Sequence, residues 1–205
     1  MSRIGLLILA AGASTRLGQP KQLLNLHGKP LVRHMAEMAI ATNTDPIGIV
    51  LGANAGLIHP LLTDLPIHPT ENDQWATGMA SSIRCGLRKL LTLAPDLEAI
   101  VLLVCDQPFV STLLIQQLIT AYQTSQFPII ASAYAETLGV PALFHRRLFP
   151  ELLALEGDCG AKALIHRYAL HCRSIPFAAG AIDLDTPDNL ETLASLMIPP
   201  QTLSF

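Results

Sequence analysis

Two stretches of this chain, Ile4 to Leu9 and Ala99 to Cys105, are apolar at every position. A strand with one face in water alternates apolar and polar residues. A strand that is apolar throughout is covered on both faces, as in a parallel sheet packed between two layers of helices. The segments between such runs have the other period. Pro30 to Ile40 sets Leu31, His34, Met35, Met38 and Ala39 at helical spacing, with proline at the first position, where its missing N–H is harmless. Thr77 to Leu91 carries Met79, Ile83, Leu87, Leu90 and Leu91 on one face, and Ser111 caps a helix to Tyr122. Further strands are expected at Pro46 to Leu51, Pro66 to His68, Pro128 to Ala133 and Gly139 to Phe144. Further helices are expected at Ala55 to Leu65, weakened by Pro60, and at Arg146 to Leu155 and Gly160 to Tyr168. An extended piece ending at Asp183 to Asp185 precedes a last helix, capped by Thr186-Pro187 and running to Leu196. Strand and helix alternating in this way predict an α/β, three-layer sandwich around a mostly parallel sheet. Residues 1–198 read as one domain and 199–205 as an aperiodic tail.

Composition narrows the function classes. Charged residues are 14% of the 205, against about 25% in an average globular chain, and hydrophobic residues are 50%, which excludes intrinsic disorder. The net charge of −3 offers no basic field to a nucleic-acid backbone. The four cysteines form no C-x-x-C pair and the seven histidines have no metal-site spacing, so neither a zinc site nor a disulfide framework is expected. No apolar run is long enough to cross a bilayer. Arg3, the run Ile4 to Leu9 and then Ala11-Gly12-Ala13 imitate a signal peptide with its cleavage site. The single charge, the short run and the anion-binding pattern that follows favour a cytoplasmic protein instead.

Ligands of open α/β sheets lie beyond the carboxyl ends of the strands, so the residues just after each strand carry the candidate chemistry. Three segments stand there. Leu9 to Lys21 combines small residues, which let the backbone approach a ligand, with the fork of Arg16 and the point charge of Lys21. It is no Walker A loop: five residues separate Gly12 from Gly18, and Gln19 stands where lysine belongs. A plain surface loop is the other reading. Cys105-Asp106-Gln107-Pro108 ends the most apolar strand with a carboxylate that could hold a hard cation such as Mg²⁺, or simply open a turn before the proline. Asp183-Leu184-Asp185 puts two carboxylates on one face of an extended chain, although Asp185 also suits the start of a helix. Trp75, the sole tryptophan, reads as a packing anchor rather than a stacking platform, and Asp158 to Lys162 as ordinary helix capping or an N-terminus near an acidic substrate.

Taken together these residues resemble one family. Leu9-Ala-Ala-Gly-x-Ser-x-Arg-x-Gly-x-x-Lys-x-Leu-Leu24 is similar to the signature loop of nucleotidyltransferases with a glycosyltransferase-A-like fold, nearest the molybdenum cofactor cytidylyltransferase and guanylyltransferase branch. The resemblance continues in order through Asn72-x-x-Trp75-x-x-Gly78-Met79-x-Ser81-Ser82-Ile83-x-x-Gly86-Leu87 and Cys105-Asp106-Gln107-Pro108. Gly139-x-Pro141-Ala142-Leu143-Phe144, Gly157-Asp158-x-Gly160-Ala161 and Asp183-x-Asp185-Thr186-Pro187 complete it. It implies a Rossmann-like sheet of the nucleotide-diphospho-sugar transferase kind. It further implies that Leu9, Ala10, Ala11 and Gly12 hold a nucleotide and that Arg16 and Lys21 hold its phosphates. Gly78 and Ser82 would lie near base or ribose, and Asp106 would ligate Mg²⁺ with Asp185 as second ligand.

The implied reaction is attack by an acceptor phosphate on the α-phosphorus of a nucleoside triphosphate, with Arg16, Lys21 and Asp106 as the catalytic set. Ala11 favours CTP over GTP, because the GTP-using branch usually reads Ala-Gly-Gly where this chain has Ala10-Ala11-Gly12. The implied acceptor is a phosphorylated small molecule, molybdopterin first. Val140 replaces a histidine common at that place in the family, which leaves the acceptor open. Rival readings are a sugar- or polyol-phosphate nucleotidyltransferase and a nucleotide-binding regulatory module without catalysis. No nucleic acid or membrane is expected as partner, and a homodimer stays open.

Overall fold

A computed structural model describes residues 2–184. The strands are β1 (Ile4–Ala10), β2 (Asn25–Leu26), β3 (Lys29–Pro30), β4 (Ile47–Leu51), β5 (His68–Glu71), β6 (Ala99–Val104), β7 (Ile129–Tyr134), β8 (Thr137–His145) and β9 (Cys172–Pro176). The helices are α1 (Leu31–Ile40), α2 (Ala55–Ile58), α3 (Met79–Leu93), α4 (Thr112–Gln123), α5 (Phe149–Leu153) and α6 (Ala161–Arg167). Seven strands form one sheet in the order β5-β4-β1-β6-β8-β7-β9, while β2 and β3 make a small separate ribbon. Only β8 runs against the rest of the large sheet, antiparallel to both β6 and β7. This is the mostly parallel α/β sheet expected from the sequence.

β1 lies inside the sheet between β4 and β6, and every one of its residues is buried. Its pleat sends alternate side chains into two cores. Ile4, Leu6, Ile8 and Ala10 join Leu31, Met35, Leu114 and Leu118 of α1 and α4 on one face. Leu7 and Leu9 join Ile83, Leu87, Leu152 and Leu164 of α3, α5 and α6 on the other. The run of apolar residues without alternation is thus explained by helices on both sides. Gly86 lets α3 approach closely: a Cβ there would collide with Leu7 Cδ1 and stand 2.7 Å from Val50 Cγ2.

The structure adjusts several expected elements. Pro60 limits the helix expected over Ala55 to Leu65 to α2 and one 3₁₀ turn, His59–Leu61. The strand expected at Pro66 to His68 begins at its last residue and continues to Glu71, where it can pair with β4. β9, unread in the sequence, adds an edge strand parallel to β7. β7 and β8 form a hairpin whose turn residues, Ala135 and Glu136, both have positive φ although neither is glycine or asparagine. Ahead of Asp183 the chain forms a 3₁₀ turn, Ala178–Ala181, rather than an extended strand. Asp185, the helix expected from Thr186 to Leu196 and the tail 199–205 lie outside the described residues. Among the described residues no helix is long and apolar enough to cross a membrane.

Overpacking a close helix–sheet contact costs about 1–3 kcal/mol. Gly86→Ala is therefore expected to lower the unfolding free energy by an amount in that range, seen as a lower urea midpoint with the slope unchanged. Gly56→Ala, where a Cβ meets open space, should leave the midpoint the same or raise it.

Candidate active site

β1 and β6 are in register at Leu9 and Val104, and β1 and β4 at Ala10 and Leu51, so their carboxyl ends stop together at one rim. A cavity of about 370 Å³ opens there. It is lined by Leu9, Ala10, Ala11, Gly12, Lys21, Gly78, Ser82 and Asp106, the candidate residues drawn from three separate parts of the sequence. Arg16 is apart from them. It is exposed and borders a smaller hollow of about 200 Å³, which shares Gly12 and Lys21 with the main cavity and also touches Leu184.

One wall is the loop after β1. Ser14 takes a positive φ of 57° there, and its hydroxyl accepts the backbone N–H of Lys21 at 3.0 Å. Gln22 is 1% exposed, and its Nε2 donates to the carbonyls of Ala10 at 2.9 Å and Gly12 at 2.8 Å. The loop is therefore tied back on itself rather than left as an open surface excursion. Lys21 begins the 3₁₀ turn Lys21–Leu23, and its Nζ rests on Asp106 Oδ2 at 2.5 Å, with the two side chains only 15% and 20% exposed. A cation and a carboxylate thus meet at the floor, each already partly stripped of water.

The opposite wall is the start of α3. Asn72 is buried; its Nδ2 donates to Ser81 Oγ at 2.8 Å and to Ser82 Oγ at 3.0 Å, while its Oδ1 accepts the Gln74 N–H at 3.1 Å. Because the Ser82 oxygen accepts from Asn72, its own proton is left to be donated elsewhere. Gly78 precedes the helix at φ 109° and ψ 172°, a conformation open to glycine. A Cβ on it would collide with the Gly157 carbonyl and stand 2.6 Å from Asp158 Oδ1, so a side chain would push out the loop that supplies Asp158 to the cavity. The N–H of Ala80 seals this junction by donating to the Gly157 carbonyl at 3.1 Å.

The turn after β6 is fastened from the far side. Gln107 is buried and its Nε2 donates to the Gly180 carbonyl at 3.1 Å, and the Leu184 N–H donates to the Asp106 carbonyl at 3.0 Å. Asp183 is thereby brought beside the Asp106 turn. Burial pushes the Tyr134 hydroxyl up, so it stays protonated and donates to the Val140 carbonyl at 3.1 Å. Burial likewise pushes the Cys105 thiol far up, which removes it as a nucleophile although it lines the cavity.

Three residues of this site have a different weight from their reading in the sequence. Trp75 packs against the α3-side core and also forms part of the cavity wall, so anchoring and ligand contact are compatible. Asp158 faces the cavity instead of only preceding a helix. Gln22 had no sequence signal beyond its place next to Lys21, since a buried amide is defined by the carbonyls it meets in three dimensions.

Comparison with known proteins agrees with this geometry. The family model described as a MobA-like NTP transferase domain matches residues 6–172, which include both cavity walls. The chain is similar to nicotine blue oxidoreductase of Paenarthrobacter nicotinovorans, 31% identical over 170 residues, covering 78% of this chain and 80% of that one. It is 27% identical over 201 residues to the purine catabolism protein PucB of Bacillus subtilis, covering 92% and 95%. The solved structure of Rv0371c from Mycobacterium tuberculosis H37Rv superposes with a TM-score of 0.82 at 29% identity, covering 95% and 98%. Another structure of Rv0371c, with a TM-score of 0.76 at 28% identity over 95% and 99% of the chains, contains manganese. The chain belongs to the family of MobA-like NTP transferase domains, enzymes of the nucleotidyltransferase class.

Strain from a Cβ at a glycine-only conformation costs about 1–3 kcal/mol. Gly78→Ala is expected to lower thermal stability by that order and to speed hydrogen exchange at the Ala80 amide. Exchange at the β1 amides should lag behind, because the junction opens without the sheet.

Proposed function

We propose that this NTP transferase moves CMP from CTP onto the phosphate of a small acceptor, molybdopterin by preference, releasing pyrophosphate in the cytoplasm. The observation that carries the reading is the Lys21–Asp106 contact of 2.5 Å at the floor of the cavity walled by the Leu9 to Gly12 backbone. An ammonium and a carboxylate side by side under a small-residue loop suit a ligand that brings both negative charge and a cation.

The chemistry demands little of acid–base groups. A phosphate monoester has its second pKa near 6, so at neutral pH the acceptor is already mostly the dianion and needs no general base. An acceptor oxygen forms a bond to the α-phosphorus, and the bond from that phosphorus to the bridging oxygen breaks, with the electron pair leaving on pyrophosphate. The protein has to hold two anions together and stabilise the leaving one. Lys21 is placed to turn from Asp106 to an incoming phosphate, Arg16 to meet the more distant phosphates from the adjoining hollow, and Ser82 to donate its free proton to ribose or base.

A hard divalent cation fits the donors present. Asp106 offers oxygen ligands at the cavity floor, Asp183 is held close to it, and among the described residues no three acidic, histidine or cysteine side chains form a cage of their own. That suits Mg²⁺, which commonly takes one or two carboxylates and completes its shell with phosphates and water. Bound there with Asp106, and with Asp185 as the proposed second ligand, it would neutralise charge on the triphosphate. The CTP preference rests on Ala11 in the cavity wall, and the acceptor on the family resemblance. Val140, at the place where the resembled family often has histidine, is packed against the α3-side core.

The name of one relative, nicotine blue oxidoreductase, favours a second reading in which the same cavity serves an oxidation–reduction. A screen distinguishes the two. CTP, GTP, ATP and UTP are offered with molybdopterin-type and sugar-phosphate acceptors, with and without Mg²⁺, and pyrophosphate is measured; NADH and NADPH consumption is followed in parallel. Pyrophosphate from a CTP and acceptor pair supports the proposal. Nucleotide binding with no pyrophosphate for any acceptor, or dinucleotide oxidation alone, overturns it.

Two variants test the residues. Asp106→Ala should remain folded and lose Mg²⁺-dependent turnover by about a hundredfold or more, as for loss of a principal electrostatic group. Lys21→Ala should raise the KM for the nucleotide and lower kcat together. Unchanged pyrophosphate release in either variant takes that residue out of the site.

A further inference from the structure

The loop after β1 owes its shape to a residue at the unspecified position of the Lys-x-Leu-Leu segment. Gln22 spends both amide protons on the loop backbone, donating to the carbonyls of Ala10 at 2.9 Å and Gly12 at 2.8 Å. The Ser14 hydroxyl approaches its Oε1 at 3.5 Å. In a trans peptide the C=O and the following N–H point in opposite directions. Two carbonyls turned onto Gln22 therefore send the N–H groups of Ala11 and Ala13 the other way. The carbonyl between them, Ala11, is occupied separately by the Ala53 N–H at 3.1 Å. Ala11, Gly12 and Ala13 all line the cavity. The result is a loop whose carbonyl oxygens, repulsive to an anion, are withdrawn while its donors are left over.

We propose that Gln22 is the positioning residue of the nucleotide site: its amide locks the Ala10 and Gly12 carbonyls so that the Ala11 and Ala13 N–H groups are presented to acceptor atoms of the bound nucleotide. This rests on the nucleotidyltransferase reading above. Gln22 touches no substrate; it acts through the backbone it holds. A side chain of similar volume that cannot donate would leave the buried Ala10 carbonyl unpaired and the half-buried Gly12 carbonyl without its tether, and the loop would rotate to find other partners.

The test is equilibrium dialysis of radiolabelled CTP and, separately, GTP, each with Mg²⁺, against the full-length protein and two variants. Gln22→Leu should weaken binding of the preferred nucleotide about tenfold or more, the loss expected when donors to a charged ligand are misaligned. Gln22→Glu gives a readout that packing alone would not produce. Burial raises a carboxyl pKa, and only the protonated acid can donate, to one carbonyl of the two. The ratio of the Gln22→Glu dissociation constant to that of the unaltered protein should therefore climb as pH rises from about 5 to about 8, where the carboxylate forms and repels the carbonyls. Taking the ratio removes the titration of the nucleotide itself. If Gln22→Leu fails to fold, the pH course of Gln22→Glu decides. Equal affinity in the folded variants, or a ratio flat with pH, overturns the role of Gln22. Absence of binding to the unaltered protein would instead overturn the nucleotide reading on which it stands.

Discussion

The double burial of β1 governs the rest of the molecule. With Leu6 and Ile8 in one core and Leu7 and Leu9 in the other, the strand has no exposed edge or face along which to shift. A one-residue slip would exchange every side chain between cores built for different partners. Register with β4 and β6 is thereby fixed, and the chain leaves the sheet at Ala10 beside the ends of both neighbours. The loop that follows must turn at this rim, since straight continuation would carry unpaired backbone out of the sheet. The Asp106 turn, emerging from the equally apolar β6, arrives at the same place. The convergence of Lys21 and Asp106 is thus a consequence of two strands having no other way to be buried.

That constraint also explains which parts were legible in the sequence. Apolar runs and helical periods identified β1, β4, β6, β7, α1, α3 and α4, because burial on two faces or one stripe writes itself directly into residue type. β9 escaped because Arg173 and Ser174 face solvent and Pro176 ends it; an edge strand needs only its pairing with β7, which leaves no apolar signature. The β7–β8 turn escaped for a related reason. Ala135 and Glu136 adopt positive φ under the demands of the hairpin, without the glycine or asparagine that usually signals such a turn.

The candidate site divides along the same line. Leu9 to Gly12, Lys21, Gly78, Ser82 and Asp106 could be chosen from their places after strands and from the family resemblance, and they do line one cavity. Arg16 was chosen by the same logic and stands at an adjoining hollow, because the positive φ at Ser14 turns the loop before it. The supports were unreadable. Asn72 within the family motif, and Gln22 and Gln107 beside candidate residues, act by hydrogen bonds to atoms of other segments, and their type alone announces no partner. Trp75 was ambiguous by nature, since a large ring can pack with one face and line a cavity with another.

These supports bear on how an acidic protein can accept a highly charged ligand. With a net charge of −3, attraction at long range is absent, and binding must come from donors fixed at short range. Free cations in a half-buried floor would be costly to keep desolvated, and a lone Asp106 equally so; paired at 2.5 Å they offset each other. A neutral amide such as Gln22 adds order without adding charge: it orients backbone dipoles in advance, so little reorganisation is left when the ligand arrives. Substituting more lysines for these neutral braces would raise attraction but leave repelling cations in the empty site and a loop free to move. An ion pair at the floor, with amides holding the backbone around it, meets both demands.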